Sequence, residues 1–300
     1  MRGTSLFSWV NWRLNDPRLH LTGPAMIHVC YPYFAKFRRL TRLQVLLSVL
    51  SMLLLSACGG LQVNTQHTSQ GQDSRVQFVV LHYTSSDFQQ SLKTLTEKGV
   101  SSHYLIDDAP ADIYRLVDEN HRAWHAGDSQ WRGRTWLNAS TIGIELVNPG
   151  YRDTAAGRVW YPYSQAQIDQ LILLLKDIVQ RHQLPLGSII GHSDIAPQRK
   201  VDPGPLFPGQ QLADAGLLRW PNAQQVTQQQ VQFAAALPDP LWFQQQLAAQ
   251  GYVVQLSGIA DVQTRNVLAA FQMKYRPARF DGVADAETAA ILQVLNQAAP

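Results

Sequence analysis

The spacing of apolar residues changes period several times along the chain. From Val76 to Tyr83 both alternations are apolar, which predicts a strand buried on two faces. Phe88, Leu92 and Leu95 recur at helical spacing and Gly99 stops them, predicting a helix over Phe88–Lys98. Short strands are expected at His103–Ile106, Ile113–Val117 and Ile142–Val147. Ser164-Gln165-Ala166-Gln167 reads as a capping box. It opens a helix carrying Ile168, Leu171, Ile172, Leu175, Ile178 and Val179 on one face, ended by Leu184-Pro185. Ser188–Gly191 reads as a last strand. Strands alternating with helices predict an α/β fold, a central sheet flanked by helices. Residues 223–236 are rich in Gln and Ala and read as a linker. Leu241–Val294 then shows a second set of helical periods, with turns at Ser257-Gly258 and Asp281-Gly282, so a small helical module is expected to fold separately. A length of 300 residues agrees with two domains.

The N-terminus has a different character. The cationic stretch Lys36–Arg42 precedes an apolar run, Leu43–Leu55. At about 20 Å as a helix, that run is short for a membrane span and fits a signal-peptide core. Leu55-Ser56-Ala57-Cys58 follows and resembles the bacterial lipobox. That resemblance implies that Cys58 is lipidated and becomes the mature N-terminus. Gly59 after it, where Asp would retain a lipoprotein at the inner membrane, implies an outer-membrane anchor on the periplasmic face of a Gram-negative cell. The alternative is an ordinary signal peptide with an incidental cysteine. Met26 offers a second start, and residues 1–25 are set aside as an extension.

Charge supports the division. Residues 1–57 carry seven Lys/Arg against Asp16, a net +6, while the whole chain carries +3. The rest is therefore at −3, and nothing in it suggests a nucleic-acid binder. Two cysteines, Cys30 and Cys58, exclude a disulfide framework.

Candidate chemistry begins with two histidines at strand ends. His82 follows Val79-Val80-Leu81, His192 follows Ile189-Ile190-Gly191, and Asp202 comes ten residues later. Sites in α/β sheets lie beyond the carboxyl ends of strands. Two imidazoles and a carboxylate suit zinc with a fourth position for water. Spacing alone leaves each histidine open to being a satisfied polar residue, because no HExxH or CxxC is present.

The surrounding words narrow the choice. Val80-Leu81-His82-Tyr83-Thr84, Ser102-His103-Tyr104-Leu105-Ile106, Ala123-Trp124-His125-Ala126-Gly127, Ile142-Gly143-Ile144-Glu145-Leu146, Gly191-His192-Ser193-Asp194-Ile195-Ala196-Pro197 and Arg199-Lys200-Val201-Asp202-Pro203-Gly204-Pro205 occur in this order. Together they resemble the zinc-dependent N-acetylmuramoyl-L-alanine amidases related to peptidoglycan recognition proteins, and in particular their lipoprotein members. The resemblance implies a central mixed β-sheet flanked by helices. It implies one zinc ion per chain held by His82, His192 and Asp202, Glu145 as the catalytic carboxylate, and Lys200 as partner of the oxyanion. Trp124 and His125 are candidates for the substrate groove, and Tyr104 is the base to consider should Glu145 fail. His103 reads as structural, His67, His121 and His182 as solvent-facing, and Asp194 as a brace for the His192 loop. Relatives often carry Trp after the Pro203–Pro208 stretch, where this chain has Gly209-Gln210.

Leu247–Tyr252, Thr264, Val267, Phe271-Gln272, Asp281-Gly282-Val283, Thr288 and Leu292 resemble a three-helix peptidoglycan-binding domain, with its leading Gly turn partly kept at Ser257–Asp261. The expected organisation is a signal segment at 1–57, a tether at 58–75, a zinc amidase domain at 76–222, a linker at 223–238 and a peptidoglycan-binding-like domain at 239–297. The expected partners are peptidoglycan, muropeptides (1,6-anhydro forms among them) and the outer membrane, with no nucleic acid, for a monomer acting in cell-wall turnover. The rivals are a non-catalytic peptidoglycan receptor on the same fold and a metallopeptidase cutting within the stem peptide.

Overall fold

The doubly apolar run forms the spine of a five-stranded sheet. In the computed structural model, which describes residues 42, 44–50 and 61–297, β1 (Phe78–Tyr83) is flanked by β6 (Thr141–Leu146) and β9 (Ile189–Gly191), both parallel to it. β2 (Tyr104–Ile106) lies parallel to β6, and β3 (Ile113–Arg115) closes that edge antiparallel. The order is therefore β3-β2-β6-β1-β9, a mixed sheet. Central parallel strands are covered on both faces, hence the unbroken burial of Phe78–His82.

α1 (Phe88–Glu97) is capped by Asp87, whose carboxylate accepts the Gln90 N–H. α2 (Gln165–His182) lays Ile168, Leu171, Leu175 and Ile178 against Val79, Leu81, Ile142 and Ile144. Only half of the expected capping box forms. Ser164 accepts the Gln167 N–H, but the Gln167 amide turns inward and donates to the Ile106 and Val147 carbonyls, closing the ends of two strands. Two hairpins that the periodicity did not signal, β4–β5 (Gln130–Trp131, Arg134–Thr135) and β7–β8 (Tyr151–Thr154, Gly157–Trp160), have strands of two to four residues, too short for an alternation to register.

The other face of the sheet meets the C-terminal helices. α3 (His192–Ile195) and α4 (Gly209–Asp214) are short; α5 (Ala223–Ala235), α6 (Pro240–Gln250), α7 (Val262–Tyr275) and α8 (Ala286–Gln297) follow. The expected linker is thus largely a helix, started by the Asn222 cap on Gln225; Gln and Ala are good helix formers, and Val226 and Phe233 tie it to the core. Phe78, Val80 and Ile190 share one hydrophobic cluster with Phe243, Leu247, Val267 and Phe271. The expected helical module is present, and its core is continuous with that of the sheet.

The module repeats one device. Gln244 accepts the Gly258 N–H and donates to the Thr264 hydroxyl and the Ile259 carbonyl. Gln272 makes the same three bonds with Gly282, Thr288 and Val283. Asp261 and Asp285 cap the helices that follow. The partly kept turn at Ser257–Asp261 does the same work as Asp281-Gly282.

Residues 1–70 and 71–300 are separate units. In the first, residues 44–50 are helical with Val45, Leu46, Leu47, Val49 and Leu50 exposed. No described helix is long and apolar enough to cross a membrane. Cys30 and Cys58 lie outside the described residues.

Candidate active site

The carboxyl ends of β1, β6 and β9 open into a cleft of about 600 Å³ whose lining includes His82, His125, Glu145, His192, Lys200 and Asp202. The parallel register sets His82 beside Glu145 on neighbouring strands, so both side chains leave the same face. His192 begins α3 directly after β9, and the Ser193 N–H donates to the Asp202 carbonyl at 2.8 Å, drawing the Asp202 loop in.

Three buried donor atoms converge. His82 Nδ1 and His192 Nδ1 are 2.9 Å apart, and Asp202 Oδ2 lies 3.1 Å from the first and 3.0 Å from the second. Their second nitrogens decide what these atoms present. His192 Nε2 lies 3.2 Å from the Ala126 carbonyl, which can only accept, so Nε2 carries the proton and Nδ1 a lone pair. Around His82 a chain runs in one direction. His82 Nε2 lies 3.0 Å from His125 Nδ1, His125 Nε2 lies 3.1 Å from the Thr141 hydroxyl, and that hydroxyl donates to the Leu137 carbonyl at 2.7 Å. Reading back from the carbonyl, each group donates to the next and His82 Nδ1 is left bare.

Two lone pairs and a carboxylate therefore face one another, all three side chains buried. Burial, with His192 adding to it, lowers the His82 pKa to about 4, so a proton does not relieve the arrangement at neutral pH. For Asp202 burial pushes up, but His192 and His82 outweigh it and hold the carboxyl below its ordinary range. A divalent cation resolves the conflict. Tetrahedral zinc with bonds of about 2.0–2.1 Å spaces its ligand atoms about 3.3 Å apart, a few tenths of an ångström wider than the triangle here. The residues fit the ion.

Glu145 Oε2 is buried without a partner, and the carboxyl is raised to about 8 by burial and by Asp202, with Lys200 opposing. A carboxyl poised near neutrality in a cleft is suited to moving protons. Lys200 lines the same cleft. Trp124 is half-exposed at its rim, with the Arg122 guanidinium 4.1 Å above its ring. His125 borders the cleft as well as bonding to His82, and its ring sits where a Cβ at position 143 would stand, 2.4 Å from His125 Cγ, so Gly143 is required.

Several residues lie elsewhere than expected. Tyr104 points away from the cleft and donates to Glu119 at 2.6 Å, which removes it as an alternative base. His182 is half-buried between Ser74 and Glu119, each at 2.7 Å, because Glu119 gathers Arg181, Tyr104 and His182 around one carboxylate. His103 is fully buried and bonded to backbone at both nitrogens, through the His121 carbonyl and the Gly143 N–H. The missing Trp after Pro208 is offset by Trp160, whose ring packs on Gly204, and by Trp220 on Gly209.

Asp194 shows what sequence reasoning missed. Its Oδ2 accepts the Gly191 N–H at 2.8 Å, bracing the loop, but also pairs with Lys274 Nζ at 2.7 Å, and its Oδ1 accepts the Tyr252 hydroxyl at 2.6 Å. Lys274 comes from α7 and Tyr252 from the loop after α6, too far along the chain for any local pattern to announce them.

Comparison with known proteins agrees with the geometry. Residues 72–205 match the N-acetylmuramoyl-L-alanine amidase family, and residues 237–292 a peptidoglycan-binding domain family. The N-acetylmuramoyl-L-alanine amidase AmiD of Escherichia coli K12 is 43% identical over 263 residues, covering 82% of this chain and 95% of AmiD. This chain belongs to the N-acetylmuramoyl-L-alanine amidase family. The structure of AmiD from E. coli in complex with the substrate anhydro-N-acetylmuramic acid-L-Ala-D-γ-Glu-L-Lys aligns with a TM-score of 0.72, covering 79% of this chain and 95% of that one. AmpDh3 from Pseudomonas aeruginosa, in complex with anhydromuramic pentapeptide, aligns at 0.73 with 37% identity, covering 80% and 98%. The amidase carries a metal-binding triad and a peptidoglycan-binding-type helical region on one fold.

Proposed function

We propose that this amidase is zinc-dependent and cleaves the amide between the lactyl group of N-acetylmuramic acid and L-alanine of the stem peptide, 1,6-anhydro forms included. The convergence of His82, His192 and Asp202 beside the protonatable Glu145 carries the reading. His82 Nδ1, His192 Nδ1 and Asp202 Oδ2 would hold the ion. When bound there, zinc supplies Lewis acidity and makes water a better nucleophile near neutral pH. Glu145 takes the proton from the attacking water and passes it to the leaving alanine amine. Lys200 offsets negative charge on the tetrahedral carbon's oxygen. The walls of the cleft orient the sugar and peptide, with Trp124 offering a stacking face.

Digestion of purified muropeptides, with and without the anhydro ring, followed by mass analysis tests this. Release of intact stem peptide beginning with L-alanine is expected. New amino termini inside the peptide would instead mean a peptidase, and no cleavage with zinc bound a receptor.

The lipobox-like Leu55–Cys58 supports a lipid anchor at the periplasmic face of the outer membrane, with residues 1–57 removed and 58–75 as tether. On this reading Cys58→Ala yields a soluble protein or an unprocessed precursor; recovery of lipidated protein from the variant overturns it. The sheet domain at 76–222 would then act as a monomer on the sacculus, helped by the helical region at 239–297.

A further inference from the structure

A second cavity, of about 270 Å³, opens where the β4–β5 hairpin and the loop after α4 meet α6, α7 and α8. Its lining includes Trp131, Arg132, Arg219, Lys274 and Tyr275, and no Asp or Glu. Two features set it apart from an ordinary cationic surface.

The first is how Arg132 is placed. It occupies the first turn position of the hairpin at φ 47°, followed by Gly133 at φ 75°. This is the type I′ pattern, which Asn, Asp or Gly fill at lower cost than a long side chain. Its N–H donates to the Gly251 carbonyl at 2.9 Å. Its stem lies where a Cβ at position 251 would stand, 2.7 Å from Arg132 Cγ. The backbone on both sides of the seam is thus shaped to admit this arginine.

The second is what the cavity leaves unsatisfied. Among the described residues neither the Arg132 nor the Arg219 guanidinium has a protein hydrogen bond or ion pair; Arg132 is exposed and Arg219 half-buried, and partial burial followed by the charge of Arg219 lowers the Arg132 pKa. Lys274 adds a third cation whose charge Asp194 already balances. The buried Trp131 indole N–H has no partner. Three cations and a buried indole donor line the cavity with no carboxylate among them, and an anion there would meet the charge of Arg132 and Arg219.

We propose that this seam binds a carboxylate of a peptidoglycan stem peptide, with Arg132 and Arg219 as the fork donors. The proposal rests on the reading that the chain works on peptidoglycan; it adds a holding site away from the catalytic cleft, on the helical region's own border. The volume suits one acidic side chain or peptide end rather than a disaccharide.

The test uses the full chain carrying Glu145→Gln, so that sacculi survive, loaded with zinc. Binding of the tripeptide L-Ala-γ-D-Glu-diaminopimelate, of its carboxamide-capped counterpart and of inorganic phosphate is measured by calorimetry, and sacculus binding by co-sedimentation. Arg132→Gln and Arg219→Gln lie on different elements, so misfolding of one does not remove the other. Each is expected to weaken tripeptide binding by about tenfold or more. The capped peptide should bind the parent no better than it binds the variants. Unchanged tripeptide and sacculus binding in both variants overturns the proposal while leaving the amidase reading intact. Phosphate binding as tightly as the tripeptide reassigns the seam to phosphate and also overturns it. Failure of the parent amidase to cleave muropeptides is a separate result that speaks against the function itself.

Discussion

Two buried carboxylates bracket the His192 loop and face different regions of the molecule. Asp202 looks into the cleft, where its partners are the imidazoles of His82 and His192. Asp194 looks the other way, to Lys274 on α7 and Tyr252 just after α6, both in the C-terminal helical region. The first is a ligand geometry, held by residues of the sheet. The second is a packing geometry, held by a region whose sequence resembles a cell-wall-binding appendage. The contrast teaches that the helical region is built into the scaffold of the site, and that the His192 loop is fixed from both sides.

Removing that region is the harshest way to break the contrast. Deletion of residues 237–300 takes away Phe243, Leu247 and Phe271 and uncovers Phe78, Val80 and Ile190. Losing one large core side chain costs about 2–5 kcal/mol. Several together exceed the roughly 5–15 kcal/mol that holds a domain folded. The truncated chain is expected to be insoluble or to lack a cooperative melt. A soluble fragment that melts cooperatively and turns over small muropeptides at the full rate would show that the sheet region stands alone. Lys274→Met sharpens the same point without cutting the chain. It leaves Asp194 buried with only neutral donors, a change worth about 3–5 kcal/mol for a broken buried pair. Thermal stability should fall and zinc should be held more weakly, with partial rescue by Lys274→Arg.

On the cleft side the largest single effect should come from Glu145→Gln. Turnover is expected to fall by roughly 10²–10⁴, with zinc content unchanged by elemental analysis. Its sign on stability is opposite. A carboxyl raised to about 8 in the folded protein stays protonated while the unfolded chain ionises near its ordinary value, so wild type loses stability as pH rises from about 4.5 to 8. Glutamine, always neutral, avoids that loss. In zinc-free protein the variant should match wild type at pH 4 and melt higher at pH 8. Equal melting at both values would mean that Glu145 is already ionised in the folded state.

How much of this was legible in the sequence follows the range of each interaction. His82 and His192 announce themselves by ending apolar strands, and α2 by a clean helical stripe, because those signals are local. Asp202 was raised as a candidate by its place ten residues after His192 but assigned only through resemblance, and Glu145 was placed through resemblance alone, since nothing in its spacing sets it beside the histidines. The Gln-rich segment was read as linker because Gln and Ala carry little hydrophobic signal, although both favour helix, and only the half-buried Val226 and Phe233 mark the side that meets the core. Lys274 and Arg132 were silent, as their meaning depends on contacts between the hairpin, the His192 loop and helices more than fifty residues away.

The smallest expected effect concerns His125, read from sequence as a groove residue. Its ring stands between His82 Nε2 and Thr141, and that position sets which nitrogen of His82 faces the cleft. Residues that orient a metal-ligating histidine typically change metal affinity about 10–100-fold when replaced. His125→Phe keeps the ring volume under Gly143 but cannot accept from His82, so zinc should be held about 10–100-fold more weakly in chelator competition. Thr141→Val removes the hydroxyl that accepts from His125 and donates to Leu137, one step further from His82, and should cost less, while Thr141→Ser, which restores the hydroxyl, should recover most of the loss. A groove role predicts the reverse pattern: His125→Phe would raise KM for muropeptides at unchanged zinc affinity, and Thr141 substitutions would leave both untouched. The order of the three variants in zinc affinity therefore separates a histidine that holds a ligand in place from one that holds substrate.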